Sequence, residues 1–283
     1  MNNYYREVSN YFNNKANVYD DVDDQLYWVL SDLFFKEVLK KEVPNLIVGK
    51  KEIKLLDAGA GTGRWTMFFY QLFNEKHIIS GELIDISEKM LDKAKIKIAK
   101  NNLDAEFKCL LGNIEEMNEM KNESYDVSLS FYNVISFVEN PGKALLEIAK
   151  KLKNGGVHIS IVANKYHSYY FSILTNQLDE LGVIKNQSKI RFNKSMPYIH
   201  CYTPEELKKL YLDNGFSSVK VIGGPNFFYP GMEETYTHGS TNSIKDKLSS
   251  DDTFKKILEV ELDNYDKKDI VGRGNVLMAI AIK

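Results

Sequence analysis

The amino-acid sequence predicts an α/β protein with a doubly wound, mostly parallel sheet of seven strands and helices on both of its faces. Two observations lead to this prediction. Short apolar runs alternate with amphipathic segments from residue 53 onward, and a glycine-rich stretch directly follows the first apolar run. The chain has 283 residues and is 43% hydrophobic, which suffices for one sizeable core with appended elements or for two small domains.

Strands and helices of the sheet are predicted in alternation along the chain. The apolar runs that predict strands are IKLLDAG, HIISGELIDIS, AEFKCLLGNI, YDVSLSFYNVI and VHISIVANK. The segments that predict the intervening helices are RWTMFFYQLFN, EKMLDKAKIKIAKNN and PGKALLEIAKKLKNGG, the last with a glycine stop. This order favours parallel strands joined by right-handed crossovers.

Helical segments and insertions flank the predicted core. We expect a helical cap over 1–48, the α/β core over 49–165, a lid over 166–215, and the last two strands with an inserted helical segment over 216–283. In the cap, DDQLYWVLSDLFFKEVLKK has a broad apolar face, and Asp24 is its predicted N-cap. The last two strands are predicted at SSVKVIGG and NVLMAIAIK.

Charge and cysteine content exclude several functional classes. The 37 basic and 39 acidic side chains nearly cancel, so no whole-molecule field draws the protein onto nucleic acid or an anionic membrane. Cys109 and Cys201 lie outside any CxxC spacing, which argues against a disulfide framework and a zinc site. A polar N-terminal segment and the lack of an apolar run of ~20 residues predict neither a signal peptide nor a membrane helix. We therefore expect a cytoplasmic protein.

The glycine-rich stretch DAGAGTGR indicates the kind of ligand. Its glycines, Gly59, Gly61 and Gly63, follow GxGxG rather than the GxGxxG of dinucleotide folds, and Asp57 would repel a diphosphate at the strand end. No GK[ST] follows, so a Walker A loop is excluded. The loop suits an adenosine-containing ligand without a phosphate, although a tight strand-to-helix turn alone would also use glycine.

At these residues the sequence resembles the class I S-adenosylmethionine-dependent methyltransferases, specifically those of ubiquinone and menaquinone biosynthesis. The resemblance covers roughly residues 50–165 and rests on motifs in a shared order: LLDAGAGTGRW, GELIDISEKMLDKAK, LLGNIEEM, YDVSLSFYNVISFV and ALLEIAKKLKNGGVHISIVANK. Further on, YTPEELKKLYLDNGFSSVKV is also similar. The resemblance implies a Rossmann-like fold, with S-adenosylmethionine as cofactor and S-adenosylhomocysteine as product.

The resemblance also implies a set of cofactor-binding residues. They are Tyr19, Asp57, Gly59, Ala60, Gly61, Gly63, Asp85, Ile86, Met90, Asn113, Ile114 and Phe131. A carboxylate at the end of the second strand can accept both ribose hydroxyls, which supports Asp85, while a helix N-cap is its plainer role. Asn113 stands where the family often has aspartate, but its amide oxygen can still accept a hydrogen bond from adenine.

One acidic residue, one basic residue and one acidic run have open roles. Asp57 is expected near the cationic end of the cofactor or as a structural turn residue. Arg64 is expected to be a packing or helix-surface residue rather than a catalyst. The acidic run from Asp20 to Asp24 could attract a cationic acceptor, or serve as a solvated turn with an N-cap.

Methyl transfer from a sulfonium needs alignment and exclusion of water, so neither a metal nor a covalent nucleophile is required. The histidines show no HxxxH-type spacing, and no metal site is predicted. His167 and His200 fall in the predicted lid, where either could take a proton from an amine or hydroxyl. Tyr132 is a third catalytic candidate. The expected substrate-facing residues are Tyr27, Tyr132, Tyr166, Tyr170 and Tyr198, whose rings could form a dry wall with cation–π capacity.

Three functions remain open, and a small-molecule methyltransferase acting on nitrogen or oxygen is favoured. The C-terminal layout is also similar to that of tRNA wobble-uridine methyltransferases, and KNQSKIRFNKS carries four cations that could grip phosphates: Lys185, Lys189, Arg191 and Lys194. RNA ranks second because the isoelectric point is near 6.3. A non-catalytic cofactor-binding protein ranks third, since the cofactor motif is intact.

Overall fold

A computed structural model describes residues 3–228 and 248–283. Its strands are β1 (Glu52–Ala58), β2 (Ile78–Asp85), β3 (Phe107–Leu111), β4 (Tyr125–Ser130), β5 (Leu152–Asn164), β6 (Lys189–Ile190), β7 (Ile199–Tyr202), β8 (Ser218–Gly224) and β9 (Val276–Ile282). Parallel pairing gives the order β3-β2-β1-β4-β5, and β9 lies antiparallel between β5 and β8. The predicted doubly wound, mostly parallel α/β fold is confirmed.

The predicted number of seven strands is too low for the described residues, which form nine. The two additional strands, β6 and β7, are an antiparallel pair, and β7 extends the sheet from the last residues of β5. Both arise within the predicted lid and have two and four residues. Strands that short carry too little apolar alternation to be read from sequence.

Ten α-helices surround the sheet in the described residues. They are α1 (Asn3–Lys15), α2 (Leu26–Glu42), α3 (Arg64–Phe73), α4 (Glu88–Lys100), α5 (Val134–Phe137), α6 (Pro141–Lys151), α7 (Lys165–Leu174), α8 (Asp179–Gln187), α9 (Pro204–Leu212) and α10 (Asp251–Leu262). A 3-10 helix, Tyr19–Asp24, joins α1 to α2, and we call it the strap. Others span Pro44–Leu46 and Val271–Arg273. None of the described helices is long and apolar enough to cross a membrane.

Two predicted helix ends are wrong. Asp24 is the last residue of the strap, and Gln25 takes the N-cap position of α2 without a side-chain capping bond. Helix α6 ends at Lys151, where β5 begins at once, so the glycines Gly155 and Gly156 do not stop it. They lie instead in an irregularity of β5, because Tyr125 and Val127 of β4 pair with Leu152 and Val157. Glycine is typical of such a bulge.

The core packs against both faces of the sheet. On one face, Phe34 of α2 and Phe69 of α3 join strand residues such as Ile159. On the other face, Leu145 of α6 and Tyr211 of α9 pack with Leu56 and others. Because β1, β2 and β4 are parallel neighbours, they end together at one edge of the sheet, where the loops behind them meet.

The boundaries of the four predicted regions, the cap, the core, the lid and the last two strands, stay predictions. His238 lies outside the described residues.

Candidate active site

Two adjoining cavities lie at the edge where β1, β2 and β4 end. The inner cavity is enclosed by residues 57–64, which we call the glycine loop, by the ends of β2 and β4, by the residues after β3, and by α1 with the strap. The outer cavity opens beside it, against the strap, α2 and α7. Among residues 3–228 and 248–283, six side chains line both cavities: Phe12, Tyr19, Arg64, Trp65, Tyr132 and Phe137. A ligand in one cavity would therefore touch the walls of the other.

The inner cavity brings together eleven of the twelve predicted cofactor residues. They are Tyr19, Asp57, Gly59, Ala60, Gly61, Asp85, Ile86, Met90, Asn113, Ile114 and Phe131. Gly63 does not line the cavity, because it caps α3 in a left-handed conformation and lies against α4, where a Cβ would be 3.1 Å from Ala94. A glycine at this position therefore lets α3 pack closely against α4.

Glycine is required at the loop for two different reasons. Gly59 has φ +86°, and a Cβ there would come within 2.3 Å of Val134, so the chain passes too close for a side chain. Gly61 has φ +53°, and nothing lies within 4 Å of the position a Cβ would take. The second glycine keeps its space in the cavity open and exposes the backbone to a ligand.

Asp85 ends β2 and joins it to the glycine loop. One carboxylate oxygen accepts a hydrogen bond from the Gly61 amide at 2.8 Å, and the other accepts from the Ser87 amide at 2.8 Å. The N-cap of α4 is Ser87 rather than Asp85. Burial raises the pKa of Asp85, opposed by these backbone bonds. Each carboxylate oxygen has more than one acceptor site, so the group can bind the loop and a ligand hydroxyl together.

Asp57 is a second buried carboxylate, at the end of β1. It accepts a hydrogen bond from the Thr66 hydroxyl of α3. Burial raises the pKa of Asp57 to about 7, and the nearby Asp85 contributes in the same direction. Near neutral pH the group is therefore half protonated, and a cation beside it would favour its charged form.

The far end of the inner cavity is closed by α1. The Asn113 amide oxygen accepts from the Glu115 backbone amide at 3.0 Å. The Tyr5 hydroxyl donates to the Glu115 carboxylate and accepts from the Glu139 amide at 3.0 Å. These bonds hold α1 over the cavity, a contact that sequence reasoning missed because its partners are more than a hundred residues apart.

The strap is held to the glycine loop by its acidic side chains. Asp20 accepts from the Thr62 hydroxyl at 2.7 Å and pairs with Lys97 of α4 at 2.6 Å. Asp23 pairs with Arg64, which also pairs with Asp32 of α2. Arg64 is 8% exposed, so of its two expected roles the place on the helix surface is wrong and the packing role remains. These acids hold two elements together, a role the sequence could not separate from a solvated turn.

Aromatic rings form a large part of the wall of the outer cavity, which also includes the charged side chains of Lys15, Asp24, Asp32 and Arg64. The cavity has a volume of about 850 Å³, within the range of small-molecule sites. Its lining includes the rings of Trp28, Phe171 and Phe192 in addition to the shared aromatic residues. His167 of α7 also lines it, and burial lowers the pKa of His167 to about 4. This imidazole is neutral at physiological pH and can accept a proton.

Other predicted catalytic and substrate-facing residues lie outside both cavities. His200 lies in β7 with its ring stacked on Tyr202 at 6.3 Å, and burial lowers its pKa to about 4. Tyr27 is fully buried and packs with Leu30. Three more tyrosines were expected at the substrate because they crowd the lid in sequence. Tyr166 and Tyr170 are 51% and 40% exposed on α7, and the Tyr198 hydroxyl donates to Glu180 at 3.3 Å.

A family profile described as "Methyltransferase domain" matches residues 49–214, which is more than half of the 283-residue chain. The chain belongs to the class I S-adenosylmethionine-dependent methyltransferases. The family expected from the motifs is thus confirmed, as is its cofactor, S-adenosylmethionine.

The methyltransferase is similar to demethylmenaquinone methyltransferase of Leptospira interrogans, at 29% identity over 155 residues, which are 54% of this chain and 59% of that protein. The match thus spans less than two thirds of that relative. Among solved structures it resembles a possible histamine N-methyltransferase of Thermotoga maritima, at 19% identity, TM-score 0.54, and coverage of 97% and 99% of the two chains.

A second similar structure contains the demethylated cofactor. It is a phosphoethanolamine N-methyltransferase of Haemonchus contortus with phosphomonomethylethanolamine and S-adenosylhomocysteine, at 16% identity, TM-score 0.53, and coverage of 85% of this chain and 50% of that one. Likeness at such identities shows a shared fold.

The residues of the inner cavity fit the cofactor of this methyltransferase. Open space at Gly61 lets a ligand approach the backbone. The charged residues that line the cavity are Asp57, Asp85 and Arg64, and Arg64 is already paired with Asp23 and Asp32. The two carboxylates match a ligand that carries a sulfonium and an ammonium. Within the described residues, no group of three histidine, cysteine or acidic side chains is placed to hold a metal.

Proposed function

We propose that this methyltransferase transfers a methyl group to nitrogen or oxygen of a small organic acceptor bound in the outer cavity. One observation carries the proposal: a neutral, buried His167 lines a partly aromatic cavity of about 850 Å³ that shares six side chains of the described residues with the inner cavity. A cavity of that size accommodates a compact metabolite.

The inner cavity would hold the cofactor by its two strand-end carboxylates. Asp85 would accept the ribose hydroxyls, as an acid near the second strand does in nucleotide-binding folds. Its bond to the Gly61 amide keeps the carboxylate beside the loop on which the ligand would lie. Asn113, Ile114 and Met90 would surround adenine, and Asp57 would face the amino-acid end. Tyr19 on the strap would cover the bound ligand.

The cofactor supplies an electrophilic methyl group on a sulfonium, and the protein's own residues do the rest. Trp65, Tyr132 and Phe137 belong to the shared wall that would align the acceptor and exclude water. His167 would accept the proton that the acceptor loses as it is methylated. Because burial lowers its pKa to about 4, it is a weak base, which takes the strongly acidic proton of a methylated hydroxyl more readily than that of a methylated amine.

A tRNA acceptor remains the second candidate, on the cations of the loop around β6. Arg191 is paired with Glu180 at 2.8 Å, which offsets one of the four positive charges expected to grip phosphates. An additional candidate acceptor atom is carbon, because the chain is also similar to a ubiquinone/menaquinone biosynthesis C-methyltransferase of Rickettsia bellii, at 24% identity over 222 residues, which are 75% of this chain and 85% of that protein. Both are outcomes of the same experiment.

The experiment offers methyl-labelled S-adenosylmethionine to the protein with a metabolite extract and, separately, with bulk tRNA. Label in a low-mass product supports the proposal, and fragmentation of that product shows whether nitrogen, oxygen or carbon was methylated. Label in RNA overturns the small-molecule assignment. His167→Ala is expected to reduce label transfer at least about tenfold, whereas His200→Ala, a matched histidine outside both cavities, should retain it. Full activity of His167→Ala would mean that positioning alone suffices.

A further inference from the structure

We infer that Asp32 is a positioning residue for methyl transfer: paired with Arg64, it fixes the hydroxyl of Tyr132 so that the Tyr132 oxygen presents a lone pair to the acceptor. The inference goes beyond the proposed function by assigning a role to two residues of α2 and α3. It rests on that function only for its activity measurement.

Asp32 lies between Arg64 and Tyr132 and serves both. One of its carboxylate oxygens accepts a hydrogen bond from the Tyr132 hydroxyl, and the other pairs with Arg64. Asp32 and Arg64 are 3% and 8% exposed, so each charge depends on the other. Arg64 also donates through Nε to Asp23 of the strap at 3.1 Å. A continuous chain of contacts thus runs from the strap to Tyr132.

The direction of the hydrogen bond decides what Tyr132 can offer a substrate. Burial raises the pKa of Tyr132 well above its ordinary value, and the adjacent Asp32 adds to this effect, so the phenol keeps its proton. That proton is committed to Asp32. The Ser31 hydroxyl, 3.4 Å away, then donates to the phenol oxygen and takes one of its acceptor sites. The remaining lone pair acts toward the cavities as a hydrogen-bond acceptor. It suits an N–H or O–H group, the kind that carries a transferable proton.

The backbone and neighbouring rings add further constraints on Tyr132. Tyr132 and Asn133 both have left-handed φ values, +53° and +73°, a conformation that costs free energy in residues other than glycine. The Tyr132 ring lies 5.8 Å from the rings of both Trp28 and Trp65, and Trp65 stacks on Phe131 at 4.3 Å. These two tryptophans are the only ones in the sequence. Their spectra therefore report on the surroundings of Tyr132.

The test compares Asp32→Asn, Tyr132→Phe and the double variant. An asparagine has one amide oxygen, which cannot accept from Arg64 and Tyr132 as the two carboxylate oxygens do, so the Tyr132 hydroxyl loses its fixed direction. Each single variant is expected to raise the apparent KM for the low-mass acceptor about tenfold. The double variant should match a single one, because both changes break the same bond. Affinity for S-adenosylhomocysteine, measured by calorimetry, should change less than about threefold.

A spectroscopic readout is independent of the acceptor. Asp32→Asn and Tyr132→Phe should both alter the tryptophan fine structure in near-ultraviolet circular dichroism, again without additivity. Asp126→Asn is the matched control, since Asp126 is a buried carboxylate paired with Lys50 and Lys153 at the opposite edge of the sheet. It should leave the tryptophan signal unchanged.

Two results would overturn the inference: additive effects of the two substitutions, or a wild-type tryptophan signal in Asp32→Asn. If Asp32→Asn does not fold, Tyr132→Phe still decides, because it leaves the Asp32–Arg64 pair intact, and wild-type values of both the KM and the tryptophan signal would refute the role. If even the wild type labels no low-mass product, the proposed function fails while the tryptophan signal still tests the positioning of Tyr132.

Discussion

At the residue scale, the sequence located acids at strand ends but not the partners they use. Asp85 and Asp57 follow apolar runs, so their place at the sheet edge could be predicted from alternation alone. Asp32 and Arg64 could not, because the contacts that join them to Tyr132 connect residues 32 and 100 positions apart. The positions of Tyr27 and Tyr198 outside both cavities could not be predicted for the same reason, because tertiary packing determines their neighbours.

The first residue-scale prediction concerns Asp85. Asp85→Ala removes both the proposed ribose contact and the bond to the Gly61 amide. We expect S-adenosylhomocysteine to bind more than about tenfold more weakly by calorimetry, with an unchanged far-ultraviolet spectrum. Asp92→Ala on the exposed surface of α4 is the control. Equal affinity of Asp85→Ala and wild type would exclude the ribose role.

The second residue-scale prediction concerns how the free energy of unfolding depends on pH. Burial raises the pKa of Asp57 from 3.8 to about 7, so between these values the folded protein holds a proton that the unfolded chain has lost. Asp57 therefore contributes a free energy of unfolding that falls as pH rises from about 4 to about 7, by at most about 1.4 kcal/mol per pH unit. His167 and His200, whose pKa burial lowers from 6.5 to about 4, contribute in the opposite direction. In urea denaturation, the free energy of unfolding of the wild type should therefore fall across this range relative to that of Asp57→Asn.

Asp126→Asn serves as the contrasting variant for this measurement. Burial alone would raise the pKa of Asp126, but hydrogen bonds from Lys50, the Lys54 amide and Lys153 lower it. Its effect on stability falls below pH 3.8, so the difference in free energy of unfolding between wild type and Asp126→Asn should stay constant between about 4 and 7. A constant difference between wild type and Asp57→Asn would show that Asp57 does not titrate in this window.

At the element scale, regular strands and helices of the core were predictable because their apolar periods are long. Strands β1, β2, β3, β8 and β9 and helices α3 and α4 begin and end within a few residues of the expected positions. The predicted strand YDVSLSFYNVI was too long, because β4 ends at Ser130 and α5 begins at Val134. The strap was not predicted, because its six residues bury none of their side chains and show no apolar period. Elements held by side-chain bonds leave little trace in hydropathy.

A prediction for the strap follows from its two acidic contacts. Replacing Asp20 and Asp23 together with asparagine should weaken its hold on Thr62, Lys97 and Arg64. We expect S-adenosylhomocysteine to dissociate about three- to tenfold faster in stopped-flow displacement, since partly exposed pairs each contribute little. Asp21→Asn removes a charge from the same strap and should leave the rate unchanged. An unaltered rate in the double variant would mean that the strap does not gate release.

At the scale of the whole molecule, the order of strands brings the functional residues to one edge. The loops after β1, β2 and β4 meet there, and α1, the strap and α7 close over them. The class of fold and most of the inner cavity could be predicted, since both depend on local motifs. The outer cavity could not, because its walls come from α1, α2, α7 and the segment after β6.

Ligand binding should stabilise the whole molecule. At a hundredfold excess over its Kd, S-adenosylhomocysteine should add about 2.7 kcal/mol to the free energy of unfolding and raise the Tm by roughly 4–5 °C. ATP is the control, because the loop lacks the GK[ST] residues of a phosphate-binding loop and carries Asp57 beside it. Equal stabilisation by ATP would contradict the phosphate-free ligand inferred from the loop.

The contacts that hold the strap to the glycine loop should be sensitive to salt. Because the strap has no buried residues and depends on partly exposed ion pairs, dissolved ions compete with its contacts far more than with the apolar core. We expect product exchange to accelerate with ionic strength while the fold persists. Single substitutions of charged residues in the six-residue strap would then change the turnover rate during evolution without altering the sheet or the reaction chemistry.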